Sequence, residues 1–197
     1  MKELILRYIK VEYTNSGHTQ YVEQICNLIE ESAKVRGTGI AKRDPQYIKD
    51  KILENKAVIA MMADRVIGFC YIEIWEDKKY VVHSGLIVHP DFRELGLAKI
   101  IKTKLFKLSR QRFPEAKIFG ITTSPAVMKI NSGLGYIPVA FAQLTQEEQF
   151  WKGCQQCINY NILEEKKFKM CLCTGMLYKP PKMWFGKLKE KIKLWRV

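Results

Sequence analysis

Two groups of residues in this chain have types and spacings suited to chemistry. The first is Arg93-Glu94-Leu95-Gly96-Leu97-Ala98, set between an apolar run that ends at Val88 and a long amphipathic run. Pro90 has no amide hydrogen to donate, so regular strand pairing stops there. Gly96 lets a ligand come close to the backbone, and Ala98 leaves the next turn uncrowded. The first amides of a helix lack intrahelical partners, and the helix dipole favours negative charge in front of them. Arg93 adds a fixed cation. Together these make a cradle for a pyrophosphate, although the same pattern also serves as an ordinary turn before a helix. The second group is Cys154-x-x-Cys157 followed by Cys171-x-Cys173. Two such pairs facing each other would complete a tetrahedral thiolate site for zinc, structural in role because no His or carboxylate accompanies the four. The alternatives are a redox pair and four small buried hydrophobes. Cys26 and Cys70 stand alone, and without a secretory signal disulfides are a poor default.

These residues need a scaffold, and hydrophobic periodicity outlines one. The stretch "ELILRYI" reads as a short first strand. Tyr21, Val22, Ile25, Leu28, Ile29 and Ala33 recur at helical spacing between Thr19 and Lys34. "RGTGIAKRD" is a loop, after which Asp44 caps a second helix with Pro45 in its first turn, ending near Asn55. "AVIAMM" and "VIGFCYIEIW" form a hairpin around Ala63-Asp64-Arg65, and "KKYVVHSGLIV" is the next strand. Residues 96–113 make a helix whose apolar stripe is Leu97, Ile101, Leu105 and Leu108. A strand "AKIFGITT", a short helix over 125–134 and a strand "YIPVAFAQL" follow. Residues 145–163 read as helix or loop, and "MCLCTGMLY" as a last strand with Cys171 and Cys173 on one side. This order predicts an α/β chain with a mixed sheet and helices on its faces.

The 197 residues fit one domain with an appendage, and 47% hydrophobic content supports a packed core. The expected division is a body over 1–178 and a basic amphipathic tail over 179–197. The tail carries seven Lys or Arg against one Glu, and Trp184, Leu188, Ile192 and Trp195 share a stripe opposite the lysines. Such a tail docks on the body or a partner chain, the favoured reading, or lies on a membrane surface. No run approaches the roughly 20 apolar residues of a membrane span. The first residues are interrupted by charge, unlike a secretory signal, so a cytoplasmic protein is expected. The net charge of +13 suits an anionic partner. No aromatic–basic interleaving of RNA-binding type is present, so no specific nucleic acid is expected. A non-enzymatic nucleic-acid or membrane binder using the tail is the alternative of another class.

"LIVHPDFRELGLAKIIKTKLFKLS" resembles the acyl-coenzyme A site of the GNAT acetyltransferase superfamily, whose signature is Arg/Gln-x-x-Gly-x-Gly/Ala between a strand and a helix. Arg93, Gly96 and Ala98 match it. The resemblance implies a GNAT-like fold over residues 4–178, with about seven mostly antiparallel strands and helices on both faces. It implies acetyl-CoA or another acyl-CoA as co-substrate. Leu86, Ile87 and Val88 would pair with the pantetheine arm. Arg93, Glu94, Leu95, Gly96, Leu97 and Ala98 would bind the pyrophosphate through their amides. Farther along, "IFGITTSPAVMKINSGLGYIPVAFAQLTQEE" is similar to the acetyltransferase domain of N-acetylglutamate synthases, through Thr122-Thr123, the short helix, Gly135-Tyr136-x-Pro138-Val139 and Leu144. That implies transfer of an acetyl or succinyl group to a small amine, such as glutamate in arginine biosynthesis. A protein or peptide N-acetyltransferase is the alternative, and a homodimer is compatible with either. Arg43 matches an Arg of those enzymes thought to meet the amino-acid substrate, and Thr122 and Thr123 would also line its site.

Direct attack of an amine on a thioester needs a base for the ammonium proton, an oxyanion donor, and often an acid for the leaving thiolate. The sequence departs from the family where these groups usually sit. Many members carry a Tyr at the position of Asn131, which cannot act as an acid, although its amide could still hydrogen-bond in the catalytic site. The synthases carry a Glu where this chain has Gly85, and usually an Arg where it has Ser124. His83 and Glu73 are the remaining side-chain candidates for the base, and water is the alternative. Arg43 and Arg36 are those for a substrate carboxylate, which suits the bidentate guanidinium fork.

Overall fold

The computed structural model describes residues 2–36 and 43–181. A short helix α1 (Lys2–Leu6) precedes strand β1 (Ile9–Tyr13), so "ELILRYI" is not the first strand. The reason lies in its partner. β1 pairs antiparallel with β2 (Ala57–Met62) from Tyr13 opposite Val58 to Ile9 opposite Met62, where β2 ends at a tight turn. Residues before Ile9 have nothing to pair with.

A 3-10 turn leads into α2 (Val22–Arg36), and α3 (Pro45–Leu53) follows. The Asp44 carboxylate accepts the amides of Gln46 and Tyr47 at 2.8 and 3.2 Å, the expected cap. β2 turns into β3 (Arg65–Trp75) and β3 into β4 (Tyr80–Val88), both antiparallel. Then come α4 (Leu97–Arg112), β5 (Lys117–Thr122), α5 (Pro125–Gly133), β6 (Ile137–Val139), α6 (Glu148–Lys152), α7 (Tyr160–Glu165) and β7 (Thr174–Tyr178). The seven strands lie in the order β1-β2-β3-β4-β5-β7-β6, and only β4 and β5 run parallel. The mostly antiparallel α/β sheet expected from the sequence is therefore present.

Two strands are shorter than their sequences read. β6 stops at Val139 because Phe141 and Leu144 turn inward to fill a cluster with Phe119, Phe150 and Trp151. β7 begins at Thr174, opposite the last residue of β5, Thr122. Cys171 and Cys173 precede it and are not on a strand.

One face of the sheet is covered by α4, whose Leu97, Ile101 and Leu105 pack on Val58, Cys70, Ile72 and Val88. The other face is covered in two patches. α2 and α3 cover β2–β4 through Ile25, Ile29, Ile48 and Ile52, and α6 and α7 cover β5 and β7. Between these patches the sheet itself opens. β4 and β5 pair only from Tyr80–Lys117 to Val82–Phe119, and beyond that they part. Residues 182–197, with Trp184, Leu188, Ile192 and Trp195, lie outside the described residues, as do residues 37–42 and the Arg36 side chain. Among the described residues no helix is long and apolar enough to cross a membrane.

Candidate active site

The site begins with an irregularity in β4. Opposite β3, Tyr71 faces Ser84 but Phe69 faces Ile87, so β4 holds one extra residue. Gly85 sits in this bulge at φ +65, and a Cβ there would lie 2.6 Å from the Tyr71 ring. No larger side chain fits, which is a physical reason for the missing carboxylate at this position. The bulge also reverses the alternation: Ser84 and Ile87 lie over α2 and α3, whereas His83 and Val88 lie over α4.

Where β4 and β5 part, a cavity of about 1050 Å³ passes through the sheet. On the α3 side its wall includes Arg43, Tyr47, Glu73 and Ser84. Thr122 and Thr123 line it at the end of β5, where Thr122 follows the α3-side Ile121 and so turns to the α4 side. On the α4 side it includes His83, Leu86, Lys102, Gly120 and Asn131. Glu73 pairs with Val82 and Ile72 with His83, so the two candidate bases stand on opposite faces.

Glu73 is held by two donors, the Tyr47 and Ser84 hydroxyls, one on each carboxylate oxygen. Burial and the Glu73 charge raise the Tyr47 phenol well above its ordinary value, so it stays protonated and donates. Arg43 Nε donates to the Tyr71 hydroxyl at 2.6 Å. Burial alone would lower the Arg43 guanidinium, but Tyr71, with Glu73 and Tyr47 behind it, holds it above its ordinary value. A cation and an anion thus share this end of the cavity, the complement of an α-amino acid.

The opposite side is different. The His83 ring is 6% exposed, with Nε2 at 2.9 Å from Ser109 Oγ and Nδ1 at 3.2 Å from the Tyr136 hydroxyl. Burial and the Lys102 cation keep it well below its usual pKa, so the ring is neutral and both nitrogens are engaged. Asn131 is 1% exposed, and its Oδ1 has no hydrogen-bond partner. Lys102 was not singled out in the sequence, where it reads as one lysine of a basic helix. Its signal is its place beside Ile101 and three residues before Leu105, at the margin of the apolar stripe.

The wall at Leu86 continues along β4 to Val88 and the turn before α4. Glu94 at φ +62 and Gly96 at φ +81 bracket Leu95 in left-handed backbone. The amides of residues 94–98 donate no hydrogen bond to another described residue; the first bonds that α4 donates run from Lys99 and Ile100 to the Gly96 carbonyl. A row of free amides in such a turn is an anion nest. A Cβ on Gly96 would meet nothing within 4 Å, so the space before the helix is open. Arg93 donates through Nε to the Val88 carbonyl at 3.3 Å, and its buried Nη2 has no partner. These unpaired donors fit the pyrophosphate that the sequence implied.

Cys154, Cys157, Cys171 and Cys173 all reach the cavity wall near α6 and α7. Yet among the described residues no three His, Cys, Asp or Glu groups are placed to hold a metal ion, so the zinc expectation is not supported. The bend before β7 pairs Cys171 with Cys173 instead: the Cys173 amide donates to Cys171 Sγ at 3.3 Å, and with the Cys173 thiol beside it the Cys171 thiol is lowered to about 6 while that of Cys173 is raised. Burial, with Cys157 and Cys171 adding to it, pushes Cys154 up to about 11.

The model of the acetyltransferase (GNAT) family matches residues 22–126. No curated protein matches the chain in sequence. Among solved structures it is similar to the N-acetylglutamate synthase of Neisseria gonorrhoeae complexed with coenzyme A and N-acetyl-glutamate, with TM-score 0.63 and 11% identity over 89% of this chain and 36% of that one. A Mycobacterium tuberculosis protein in complex with CoA superposes with TM-score 0.61 and 14% identity over 87% of this chain and 99% of that one. A Staphylococcus aureus acetyltransferase of the GNAT family gives TM-score 0.62 and 12% identity over 88% and 99%. At these identities the likeness is one of fold, and the chain spans about a third of the length of the gonococcal synthase.

Proposed function

The chain belongs to the acetyltransferase (GNAT) family, and from that premise we propose that it transfers an acyl group, acetyl or succinyl, from coenzyme A to the amine of a small amino acid such as glutamate. The observation that carries this reading is the row of unpaired amides over residues 94–98, with Arg93 Nη2 beside it, at the end of the strand that borders the gap in the sheet. We assign the activity to the body, residues 1–178, with the tail over 179–197 as an appendage.

Each part of the site then has a task. The amides at the mouth of α4 and the Arg93 guanidinium hold the diphosphate of the acyl-CoA. The free edge of β4 over Leu86, Ile87 and Val88 pairs with the amide-bearing arm, which places the thioester in the gap. The acceptor comes from the other face. Arg43 binds its carboxylate, and Glu73, fixed by Tyr47 and Ser84, takes the ammonium proton so that the amine can attack. Thr122 and Thr123 line the cavity at the tip of β5.

The test is a thiol-release assay with acetyl-CoA and succinyl-CoA against a panel of amino acids and peptide amines. Release with glutamate or another free amino acid is expected, and Glu73→Gln should lower kcat by about 10²–10³-fold at neutral pH with acetyl-CoA affinity unchanged. Preference for peptide amines would move the acceptor to a protein N-terminus or lysine. Absence of CoA-thioester binding by calorimetry would remove the reading altogether.

A further inference from the structure

Lys102 has an unusual position for a lysine. It sits on α4 and is 2% exposed. Its ammonium lies where β4 and β5 part: a Cβ built on Gly120 would be 3.8 Å from Nζ and 3.4 Å from the His83 carbonyl oxygen. The groups that face it are Cys70 on β3, His83 on β4, Gly120 on β5, Asn131 on α5, and the Tyr136 ring, whose centroid is 5.5 Å away. None is an acid that could pair with it, and among the described residues it has no salt bridge. Burying an ammonium without a counter-ion is costly, so the fold gains nothing from this charge. What it gains is a cation on the cavity wall at the gap, on the face opposite Glu73.

The acceptor amine approaches the reacting carbon from one direction and the sulfur departs in another, and the two faces of this cavity differ in the same way. The Glu73 side takes protons. On the other side Asn131 cannot supply one, and the His83 ring is neutral with both nitrogens engaged. Building on the acyl-CoA reading above, we propose that the Lys102 ammonium is the proton donor to the departing coenzyme A thiolate. The amine nitrogen bonds to the carbonyl carbon and the C–S bond breaks with its electron pair on sulfur. A proton passes from Nζ to that sulfur, giving the free thiol and a neutral Lys102 amine. Lys102 is recharged by the proton that the product nitrogen releases or from water in the cavity. Asn131 Oδ1, buried and unpartnered, supplies an acceptor for an amide hydrogen of the arm or for the thiol formed.

Burial lowers Lys102 to about 8, with the Cys70 thiol opposing the shift. That is close to the roughly 8.5 of a cysteine thiol, so the ammonium can give its proton to a thiolate of comparable basicity without a large uphill step.

The test compares wild type, Lys102→Met and Lys102→Arg. Lys102→Met removes an unpaired buried charge at nearly constant shape, so it should melt no lower than wild type and bind acetyl-CoA with unchanged affinity. Its kcat with acetyl-CoA should fall by about 10²–10³-fold. The basic limb of the wild-type kcat–pH profile, centred near pH 8, should disappear. With 4-nitrophenyl acetate, whose leaving group needs no proton, the two proteins should be nearly equal. Lys102→Arg, which holds its proton too tightly, should not rescue. Equal losses with both donors would show a structural role and overturn the proposal, as would an unchanged kcat in Lys102→Met. If the wild type acetylates no amine, it is the acyltransferase reading that fails; if the wild type works and Lys102→Met works as well, only the role of Lys102 fails.

Discussion

Gly85 shows how one position can be closed to a side chain. Its φ of +65 and the 2.6 Å approach of the Tyr71 ring leave no room for one, so no base can stand there, and in the proposed reaction Glu73 on the neighbouring strand would take that part. Gly85→Ala should destabilise the fold by about 1–3 kcal/mol, through left-handed strain and displacement of Tyr71. A drop in melting temperature of about 2–4 °C per kcal/mol is expected for a chain of this size; an unchanged melt would mean the bulge is more pliant than its geometry implies. His83 gives a second test. Its ring is buried neutral with its pKa held well below the ordinary value. In the unfolded chain it titrates near ~6.5, so below that pH the unfolded state binds the extra proton and stability falls. The melting temperature of wild type should drop more between pH 7 and pH 5 than that of His83→Gln, and parallel slopes would contradict the assignment. The loss of the usual carboxylate was readable at Gly85. Its cause was not, because a bulge is a mismatch between two strands and neither sequence carries it alone. Lys102 was hidden for a related reason: which way a marginal lysine turns depends on the gap between β4 and β5 that it faces.

Among the elements, α4 and the turn before it were the most legible. Apolar residues at helical spacing fix the helix, and Pro90, Arg93 and Gly96 mark its entrance. Elements whose ends depend on a partner are the ones the sequence misplaces. β1 begins only at Ile9, opposite the last residue of β2, so the first strand lies later than "ELILRYI". β7 begins only opposite the last residue of β5, and β6 stops where Phe141 and Leu144 have a core to fill, so both are shorter than their sequences read. The Cys-x-Cys spacing was visible, but the bend that pairs Cys171 with Cys173 follows from where β7 begins. The mouth of α4 makes its own test. Arg93→Gln removes the charge beside the free amides, and a hydrogen bond to a charged group contributes about 1.5–3 kcal/mol. The acetyl-CoA dissociation constant measured by calorimetry should rise about tenfold or more, with kcat at saturation little changed. A lower kcat at unchanged affinity would place Arg93 elsewhere in the reaction.

At the scale of the whole molecule, the net charge of +13 is a long-range attraction for a polyanionic donor. Its effect is on encounter and should fade as salt shortens the Debye length from about 10 Å at 0.1 M to 3 Å at 1 M. KM for acetyl-CoA should therefore rise with ionic strength while kcat holds. The parting of β4 and β5 has a different consequence. A flat sheet has two rims, here β1 and β6, but this one carries a third in its interior, since both central strands turn unpaired backbone toward each other past Val82. A rim recessed in a slot is closed to the broad edge of another protein and open to a thin, amide-bearing chain. Deuterium uptake over residues 83–88 should then slow by about tenfold when acetyl-CoA is added, with β2 unaffected, as local opening governs exchange. The cofactor arm would serve as the missing strand that completes the weave.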